Sequence, residues 1–409
     1  MGERVAIRGC DNYRLEAVKG AVTAALRDVM GTEGEGNPLE GLVKPGDNVF
    51  IKPNWVASRW RASCPHKDSL YCVITHPAVI ESVTDLVADA LKGRGAMIIG
   101  DNPSIDADFE ELMEFTGIRR LGGKYDVPVR ILDLRPLVCK DLRDYGKRDK
   151  MAAQPGDPAG TMEVNLGKDS LLYGIDSSRF RGVFNEREGT RLAHTGETQL
   201  YTYSRSLYDS NVYISIPKLK THQKVGATLN LKGLVGSIAD KNQLVHWRVG
   251  YPEVGGDEYP DQASWEASLT AKVTHRGAWP GNDTIWRMVV DLYHGLMKRP
   301  RRTLSVIDGV VGGEGQGPFC PTSKFSCCVI AGKSLLATDV VAARYMGLNP
   351  LKIAYLGYLL EHGEISLNEI CPLLEGKIAS EFFNAATSYK DFSTTRAWEA
   401  IHWNPCERV

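Results

Sequence analysis

The chain alternates between short apolar runs and longer amphipathic segments, and this alternation limits its possible folds more than any other feature. The apolar runs at residues 5–8, 48–51 and 96–99 have the length of buried strands. Residues 15–30 and 77–91 repeat apolar side chains at helical spacing. Strands that alternate with helices form βαβ units and a parallel sheet. We therefore predict an α/β fold, with parallel-sheet βαβ domains in two lobes and a cleft between them.

The length and the polarity of the chain indicate how the lobes are divided. A chain of 409 residues is longer than one core usually serves. Residues 1–140 are predicted to form an N-terminal α/β lobe. Residues 141–206 are polar and weakly periodic, which predicts an irregular insertion. Residues 207–350 are predicted to form a second lobe, and residues 351–409 a helical extension.

The composition argues against several classes of protein. Hydrophobic residues make up 43% and charged residues 24%, and the formal net charge is −1. Because positive and negative charges nearly balance, the composition does not favour binding to nucleic acids or to membrane surfaces. No signal peptide or membrane-spanning apolar run is visible, and the nine cysteines include no CxxC pair. We therefore expect a cytoplasmic protein with reduced thiols and without an iron–sulfur cluster, and homo-oligomerisation stays open.

Polar residues follow several predicted strands at the point where each strand ends. In an open parallel sheet, ligands bind beyond the carboxyl ends of the strands, so these residues are predicted to bind substrate. A structural alternative stays open for each of them, as turn residues, helix caps or surface side chains. The candidates are Lys52, Asn54, Asp101, Asn102, Ser104, Lys218, Lys220 and Glu314.

The densest polar segments are residues 217–222, 230–233 and 241–246, which carry several lysines and two histidines among apolar residues. A buried lysine is costly unless it is paired or solvated in a site. These segments therefore predict a cationic pocket for a carboxylate or phosphate, with His222 or His246 as a proton carrier or metal ligand. Salt bridges to core carboxylates are the structural alternative.

Two aspartates are further candidates for a metal site. Asp308 ends a predicted strand and leads into a Gly-rich segment, residues 312–318, that is predicted to be a loop. Asp339 lies at a predicted helix start, where it would act as an N-cap or join Asp308 in binding a divalent cation. His246 is the third predicted ligand, and the identity of any metal or cofactor stays open.

Several motifs together resemble the DUF362 family, a bacterial and archaeal family of unknown function. The resemblance covers roughly residues 48–350. Many relatives carry an added ferredoxin-like module that contains clusters of cysteines. This chain lacks those cysteine clusters. The motifs, in order, are Phe50-Ile51-Lys52-Pro53-Asn54, Ile99-Gly100-Asp101, Pro217-Lys218-Leu219-Lys220-Thr221-His222, Asn230-Leu231-Lys232-Gly233, Asp308-Gly309, Gly315-Gln316-Gly317-Pro318 and Thr338-Asp339-Val340-Val341-Ala342-Ala343-Arg344.

A weaker similarity is to the nickel-pincer lactate racemases, which have two α/β domains with the active site between them. Lys232 follows His222 by ten positions, as in that family, and His246 lies downstream. The similarity implies that Lys232 matches the cofactor-linked lysine, His246 a metal ligand and His222 a catalytic base. Asp101-Asn102-Pro103-Ser104 stands where that family has its Ala-Thr-Gly-x-His loop, so we expect a shared fold with changed chemistry.

These features together favour an enzyme that acts on a small anionic substrate, such as a hydroxy acid or a phosphorylated metabolite. Proton-transfer chemistry of the isomerase or racemase type is expected, with His222, Lys232 and His246 as the catalytic residues. Two alternatives stay open: a non-catalytic protein that binds an anion or a metal, and a redox-associated protein.

Overall fold

The computed structural model describes residues 2–271, 276–385 and 389–406, and it confirms a mixed α/β fold. The described strands are β1 (Glu3–Gly9), β2 (Asn48–Pro53), β3 (Ala96–Asp101), β4 (Val129–Asp133), β5 (Leu137–Val138), β6 (Ala152–Ala153), β7 (Thr161–Asn165), β8 (Phe180–Arg181), β9 (Leu200–Ser204), β10 (Val212–Ile216), β11 (Lys218–His222), β12 (Gly226–Ala227), β13 (Trp247–Arg248), β14 (Arg302–Gln316), β15 (Cys320–Lys324), β16 (Cys328–Gly332), β17 (Ile370–Leu374) and β18 (Lys377–Ile378).

The α-helices lie between these strands, joined by short 3₁₀ turns. The described helices are α1 (Leu15–Met30), α2 (Pro77–Leu91), α3 (Phe109–Thr116), α4 (Glu188–Ala193), α5 (Arg205–Tyr208), α6 (Leu229–Gly233), α7 (Gln262–Thr270), α8 (Asp283–Met297), α9 (Leu335–Tyr345) and α10 (Ala354–Glu361).

One large sheet runs through the molecule in the order β18-β17-β1-β16-β14-β10-β2-β3-β4, with β11, β12 and β15 joined beside β14. The half from β14 to β4 is parallel throughout. Strand β16 is antiparallel to both of its neighbours, β1 and β14. The carboxyl ends of β2, β3, β10 and β14 therefore meet at one edge, which is where the polar residues were predicted to gather.

The two faces of the sheet are covered by different helices. Val49 and Ile51 point into a core that includes α1 and α2, whereas Phe50 between them points into a core that includes α8, α9 and α10. This alternation is expected because successive side chains of a strand point to opposite faces. Pro77 opens α2 as predicted, and the His76 imidazole caps it by accepting from the amide of Ala78.

Strands from both predicted lobes share this sheet, because β10 pairs with β2 and with β14. The division into lobes at residues 140 and 206 stays a prediction. The insertion between them contains a two-stranded ribbon of β7 and β9, together with the short helix α4.

The prediction of a Gly-rich loop after Asp308 is wrong, because β14 continues as a strand to Gln316. The glycines allow close packing: a Cβ atom on Gly313 would lie 3.0 Å from Cγ of Lys220. The segment Lys218–His222 is likewise a strand, paired with β14 and β12. In this segment, glycine allows neighbouring strands to pack closely and does not mark a turn.

Cys64 and Cys320 form a disulfide across 256 residues of sequence, so the expectation of reduced thiols is wrong for this pair. The pairing depends on tertiary proximity, which cysteine spacing does not reveal. The bond joins the segment between β2 and α2 to the start of β15.

Within the described residues, no helix has the length and apolarity needed to cross a membrane.

Candidate functional site

Lys52 and Asp101 meet at the carboxyl edge, as predicted from their positions after β2 and β3. The Lys52 ammonium lies 2.7 Å from Asp101 Oδ1, and both side chains are 4% exposed. Asp101 Oδ2 also accepts from the amide of Trp55 at 2.7 Å. Gly236 packs against this pair, since a Cβ atom there would lie 2.6 Å from Lys52 Nζ. The ion pair therefore fixes the arrangement of three chain segments.

The predicted substrate-binding residues Asn54, Asn102 and Ser104 also bond to neighbouring protein groups. Asn54 donates to the carbonyl of Val73 at 2.7 Å, and Asn102 donates to that of Ile238 at 2.8 Å. The Ser104 hydroxyl donates to the carboxylate of Asp106. The two asparagines therefore link chain segments through backbone carbonyls, and Ser104 contacts a neighbouring carboxylate.

Lys218 and Asp308 form a second buried ion pair, 2.7 Å apart and 0% exposed. The Tyr13 hydroxyl donates to Asp308 Oδ1 at 2.8 Å, and the amide of His76 donates to Asp308 Oδ2 at 2.9 Å. The Tyr13 and His76 rings stack with centroids 3.7 Å apart. Burial lowers the pKa of Lys218 and raises that of Tyr13. Asp308 therefore has protein partners on both of its oxygens.

The predicted metal ligands Asp308, Asp339 and His246 do not come together. Among the described residues, no group of three or more His, Cys, Asp or Glu side chains could hold a metal ion. Asp339 lies inside α9, whose N-cap is Ser334, so its predicted capping of its own helix is wrong. Glu314 is also separate from the site: its carboxylate lies 3.3 Å from Lys324 and accepts from the amide of Ser393.

Asp339 instead caps the neighbouring helix α6, which carries Lys232. Its carboxylate accepts from the backbone and side-chain amides of Asn230 at 2.8 and 2.7 Å, and from the amide of Leu231 at 2.9 Å. Burial raises the pKa of Asp339 to about 7. Leu229, just before these amides, has φ +46°, a backbone conformation that non-glycine residues rarely adopt. This network fixes the segment from which Lys232 projects.

Lys220 lies in β11, two positions after Lys218, and so on the same face of the strand. Its ammonium is 0% exposed and donates to the carbonyls of Val73 at 2.8 Å and Pro318 at 3.1 Å. No carboxylate is within ion-pairing distance of it in the described part of the chain. Burial lowers the pKa of Lys220 to about 7, and the charges of Lys232 and Lys218 add to this effect.

Three more lysines lie in the same region. Burial lowers the pKa of Lys224 and of Lys241 to about 7, and that of Lys232 to about 8. Lys224 donates to the carbonyl of Arg276, and Lys241 donates to the carbonyls of Asn102 and Val235. The half-buried Lys232 ammonium has no hydrogen-bond acceptor among the described residues. Lys241 lies in a segment predicted to form the cationic pocket, whereas the sequence assigned no role to Lys224.

The two histidines have opposite tautomers in their neutral forms. His222 Nδ1 accepts from the amide of Lys224 at 3.1 Å, so its proton lies on Nε2. His246 Nδ1 lies 2.8 Å from the carbonyl of Leu244 and therefore carries the proton, which leaves a lone pair on Nε2. Burial and the nearby lysines lower the pKa of His222 well below its usual value and that of His246 to about 3. Both rings are neutral near pH 7.

We call this group the basic cluster, comprising Lys220, His222, Lys224, Lys232, His246 and Lys241. None of its lysines has a carboxylate within 4 Å in the parts of the chain that the structure describes. Nearby acids are already paired: Asp101 with Lys52, and Glu258 with Arg276 at 3.5 Å. Lysines without counter-charges in a buried region lose protons readily, and a bound anion would favour their charged forms.

Tyr13 and His76, beside Asp308, were missed at the sequence level. Tyr13 lies between β1 and α1, in a segment with no motif, and His76 precedes a proline at the start of α2. Only the fold brings these residues to Lys218 and Asp308. Their spacing along the chain carried no usable signal.

Comparisons with known proteins find distant similarities. Thylakoid-associated protein sll1697 of Synechocystis sp. is 23% identical over 337 residues, covering 82% of this chain and 73% of that protein. A protein from Thermotoga maritima gives a TM-score of 0.38 at 13% identity over 80% of this chain. The lactate racemase apoprotein from Thermoanaerobacterium thermosaccharolyticum gives 0.37 at 10% identity over 84% of it. The chain spans 56% and 57% of those two solved chains.

The family model "Domain of unknown function (DUF362)" matches residues 49–154 and 169–344. The matched ranges contain Lys52, Asp101 and the whole basic cluster, as the sequence motifs predicted. This protein therefore belongs to the DUF362 family.

Proposed function

We propose that this protein is an enzyme that binds a small organic anion on the basic cluster and transfers a proton on it. The observation that carries the proposal is the group of buried lysines without carboxylate partners, placed beside two neutral histidines. A hydroxy acid or a phosphorylated metabolite has the required charge. Lys220, Lys232 and Lys241 would hold the anion in place of Lys52 and Lys218, whose charges are already neutralised by aspartates.

The tautomers divide the roles of the histidines. His246 presents the lone pair of Nε2 and would accept a proton, whereas neutral His222 would donate a hydrogen bond from Nε2 to a substrate oxygen. This changes the sequence-based hypothesis, in which His222 was the base. A bound anion would offset the lysine charges that lower the pKa of His246, so the base would become stronger only when substrate is present.

Exchange of substrate hydrogen with solvent tests the proton-transfer step. Purified protein would be incubated in D₂O with a panel of hydroxy acids and sugar phosphates, and the loss of C–H signals followed by proton NMR. We expect exchange on at least one compound, its loss in His246→Gln, and a reduced rate in His222→Gln. The exposed His362 supplies a matched control, His362→Gln, which should exchange at the wild-type rate. Exchange that survives in His246→Gln would refute the assignment of the base.

Anion binding without turnover is the outcome expected of a non-catalytic binding protein. Phosphate and acetate serve as minimal probes, with affinity measured by calorimetry. We expect Lys220→Met and Lys232→Met each to weaken binding at least tenfold, because each removes a cation that the anion would contact. The exposed Lys298 supplies the control variant Lys298→Met. Unchanged affinity in both site variants would refute the basic cluster as the anion site.

A covalent group on Lys232 is a second candidate, favoured by its amine, which has no acceptor among the described residues and whose pKa is lowered to about 8. Such an amine is nucleophilic at neutral pH. Intact mass of protein purified from its native host tests this. A mass excess that maps to the Lys232 peptide would support an attached cofactor, and an unmodified mass would leave the free amine as the acting group.

A further inference from the structure

A cavity of about 240 Å³ lies between the core and the insertion. On the core side it is lined by Asn102, Ala239 and Lys241, and on the insertion side by Phe184 and Thr202. Exposed Arg148 lies at its rim. The insertion therefore supplies part of the wall of this cavity.

Lys241 links the cavity to the basic cluster, because it lines the cavity and belongs to the cluster. The Lys241 ammonium donates to the carbonyl of Asn102 at 3.2 Å and to that of Val235 at 3.3 Å. Asn102 directly follows Asp101, the partner of Lys52, and Gly236 directly follows Val235 and packs on the same pair. A molecule in the cavity would thus lie beside Lys241.

The walls of the cavity are suited to an apolar group. Phe184 and Ala239 are buried, and half-buried Leu137 lies beside them. Two polar side chains in the wall have partners: the Thr202 hydroxyl accepts from Gln243 at 2.8 Å, and the Asp240 carboxylate accepts from the amide of Asn242 at 3.0 Å. The buried Oδ1 of Asn102, also in the wall, has no hydrogen-bond partner among the described residues. Lys241 is the cation that both the cavity and the basic cluster share.

We infer that this cavity binds the apolar body of an organic anion whose charged group lies on the basic cluster. The inference rests on the proposed function and narrows its substrate class to carboxylates or phosphate monoesters with a compact apolar group. Sites for drug-sized ligands occupy about 300–1,000 Å³. The smaller cavity here suits a single ring or a short branched chain. Residues 141–206 would determine which apolar groups of a ligand fit into it.

Paired probes test the inference. Inorganic phosphate would be compared with phenyl phosphate, and acetate with benzoate, by calorimetry on the full chain. In the wild type the ring should increase affinity roughly tenfold or more, because burial of an aromatic group is favourable. Ala239→Leu narrows the cavity and should reduce that gain below about threefold, with the affinity for phosphate or acetate unchanged. The exposed Ala263 supplies the control Ala263→Leu, which should keep the full gain.

The possible outcomes separate the two proposals. If the small anions bind but the ring adds no affinity, or the gain survives in the filled cavity, the cavity inference is overturned and the anion site stands. If neither small anions nor ring compounds bind the wild type, both proposals are overturned. Should Ala239→Leu fail to fold, Leu137→Trp fills the cavity from another, half-buried lining position and gives the same readout.

Discussion

Replacing Lys220 with methionine should make the empty protein more stable, although the residue lies in the centre of the proposed site. The Lys220 pKa falls from 10.5 in the unfolded chain to about 7 in the fold because of burial. At about 1.36 kcal/mol per pKa unit, keeping this lysine in the fold costs on the order of 4–5 kcal/mol at pH 6.5. Methionine has a similar length and carries no charge.

The gain is partly offset by a lost hydrogen bond. The carbonyl of Val73 keeps a donor, Asn54, at 2.7 Å, but that of Pro318 loses its bond from Lys220. An unpaired buried carbonyl costs about 1–3 kcal/mol. We therefore expect Lys220→Met to raise the free energy of unfolding by roughly 2–3 kcal/mol at pH 6.5.

The sign of the pH dependence follows from proton binding. Because the folded-state pKa of Lys220 is depressed, the folded protein binds fewer protons than the unfolded chain between about pH 7 and 10.5, and wild-type stability rises over that range. The advantage of Lys220→Met should therefore shrink by about 3 kcal/mol at pH 9.5. Urea denaturation in buffers free of phosphate and carboxylates measures this, with Lys298→Met as an exposed control that should stay within about 0.5 kcal/mol of wild type. A destabilised variant, or a gain that does not change with pH, would refute the reasoning.

Three further predictions concern the support of the site. Asp339→Ala leaves three amide groups without their acceptor. It should lower the free energy of unfolding, measured by urea denaturation, by roughly 3 kcal/mol or more, and it should also weaken phosphate binding. A free energy of unfolding equal to that of the wild type would contradict the capping role. Cys64→Ser should lower the free energy of unfolding by about 2–5 kcal/mol, because it removes the disulfide. A reductant should lower the free energy of unfolding of the wild type by a similar amount and leave that of the variant unchanged. Gly236→Ala should disrupt the pair of Lys52 and Asp101 and reduce both stability and phosphate affinity, whereas Gly233→Ala, with no atom within 4 Å of its new Cβ, should do neither.

The location of the site could be predicted from the sequence, because the carboxyl edge of a parallel sheet follows from strand and helix periodicity. Lys52 and Asp101 lie at that edge and meet as two neighbouring strand ends should. The segments 217–222, 230–233 and 241–246 also converge, as their unusual charge among apolar residues indicated. The family motifs pointed to the same segments.

The role of each charge could not be predicted, because it depends on partners distant in sequence. Lys218 and Lys220 look equivalent along the chain, yet Lys218 meets Asp308 and Tyr13, and Lys220 meets only carbonyls. Asp339 fits a helix start by pattern, but the helix begins earlier and its carboxylate serves another segment. Which buried lysine is neutralised is a property of packing, and local sequence does not record it.

Strand β1 is translated long before the strands that pair with it in the sheet. Its neighbours in the sheet are β16 and β17, so its parallel partner begins at Ile370. At a synthesis rate of about 5–20 residues per second, roughly 20–70 s separate the two on the ribosome. In that interval the parallel part of the sheet can already assemble from β2, β3, β10 and β14. The amides and carbonyls of β1 remain unpaired until its partner strands are synthesised. A nascent or truncated chain that stops before residue 370 would present one open side of β1, which makes this strand the place where incomplete chains are most exposed to association with each other.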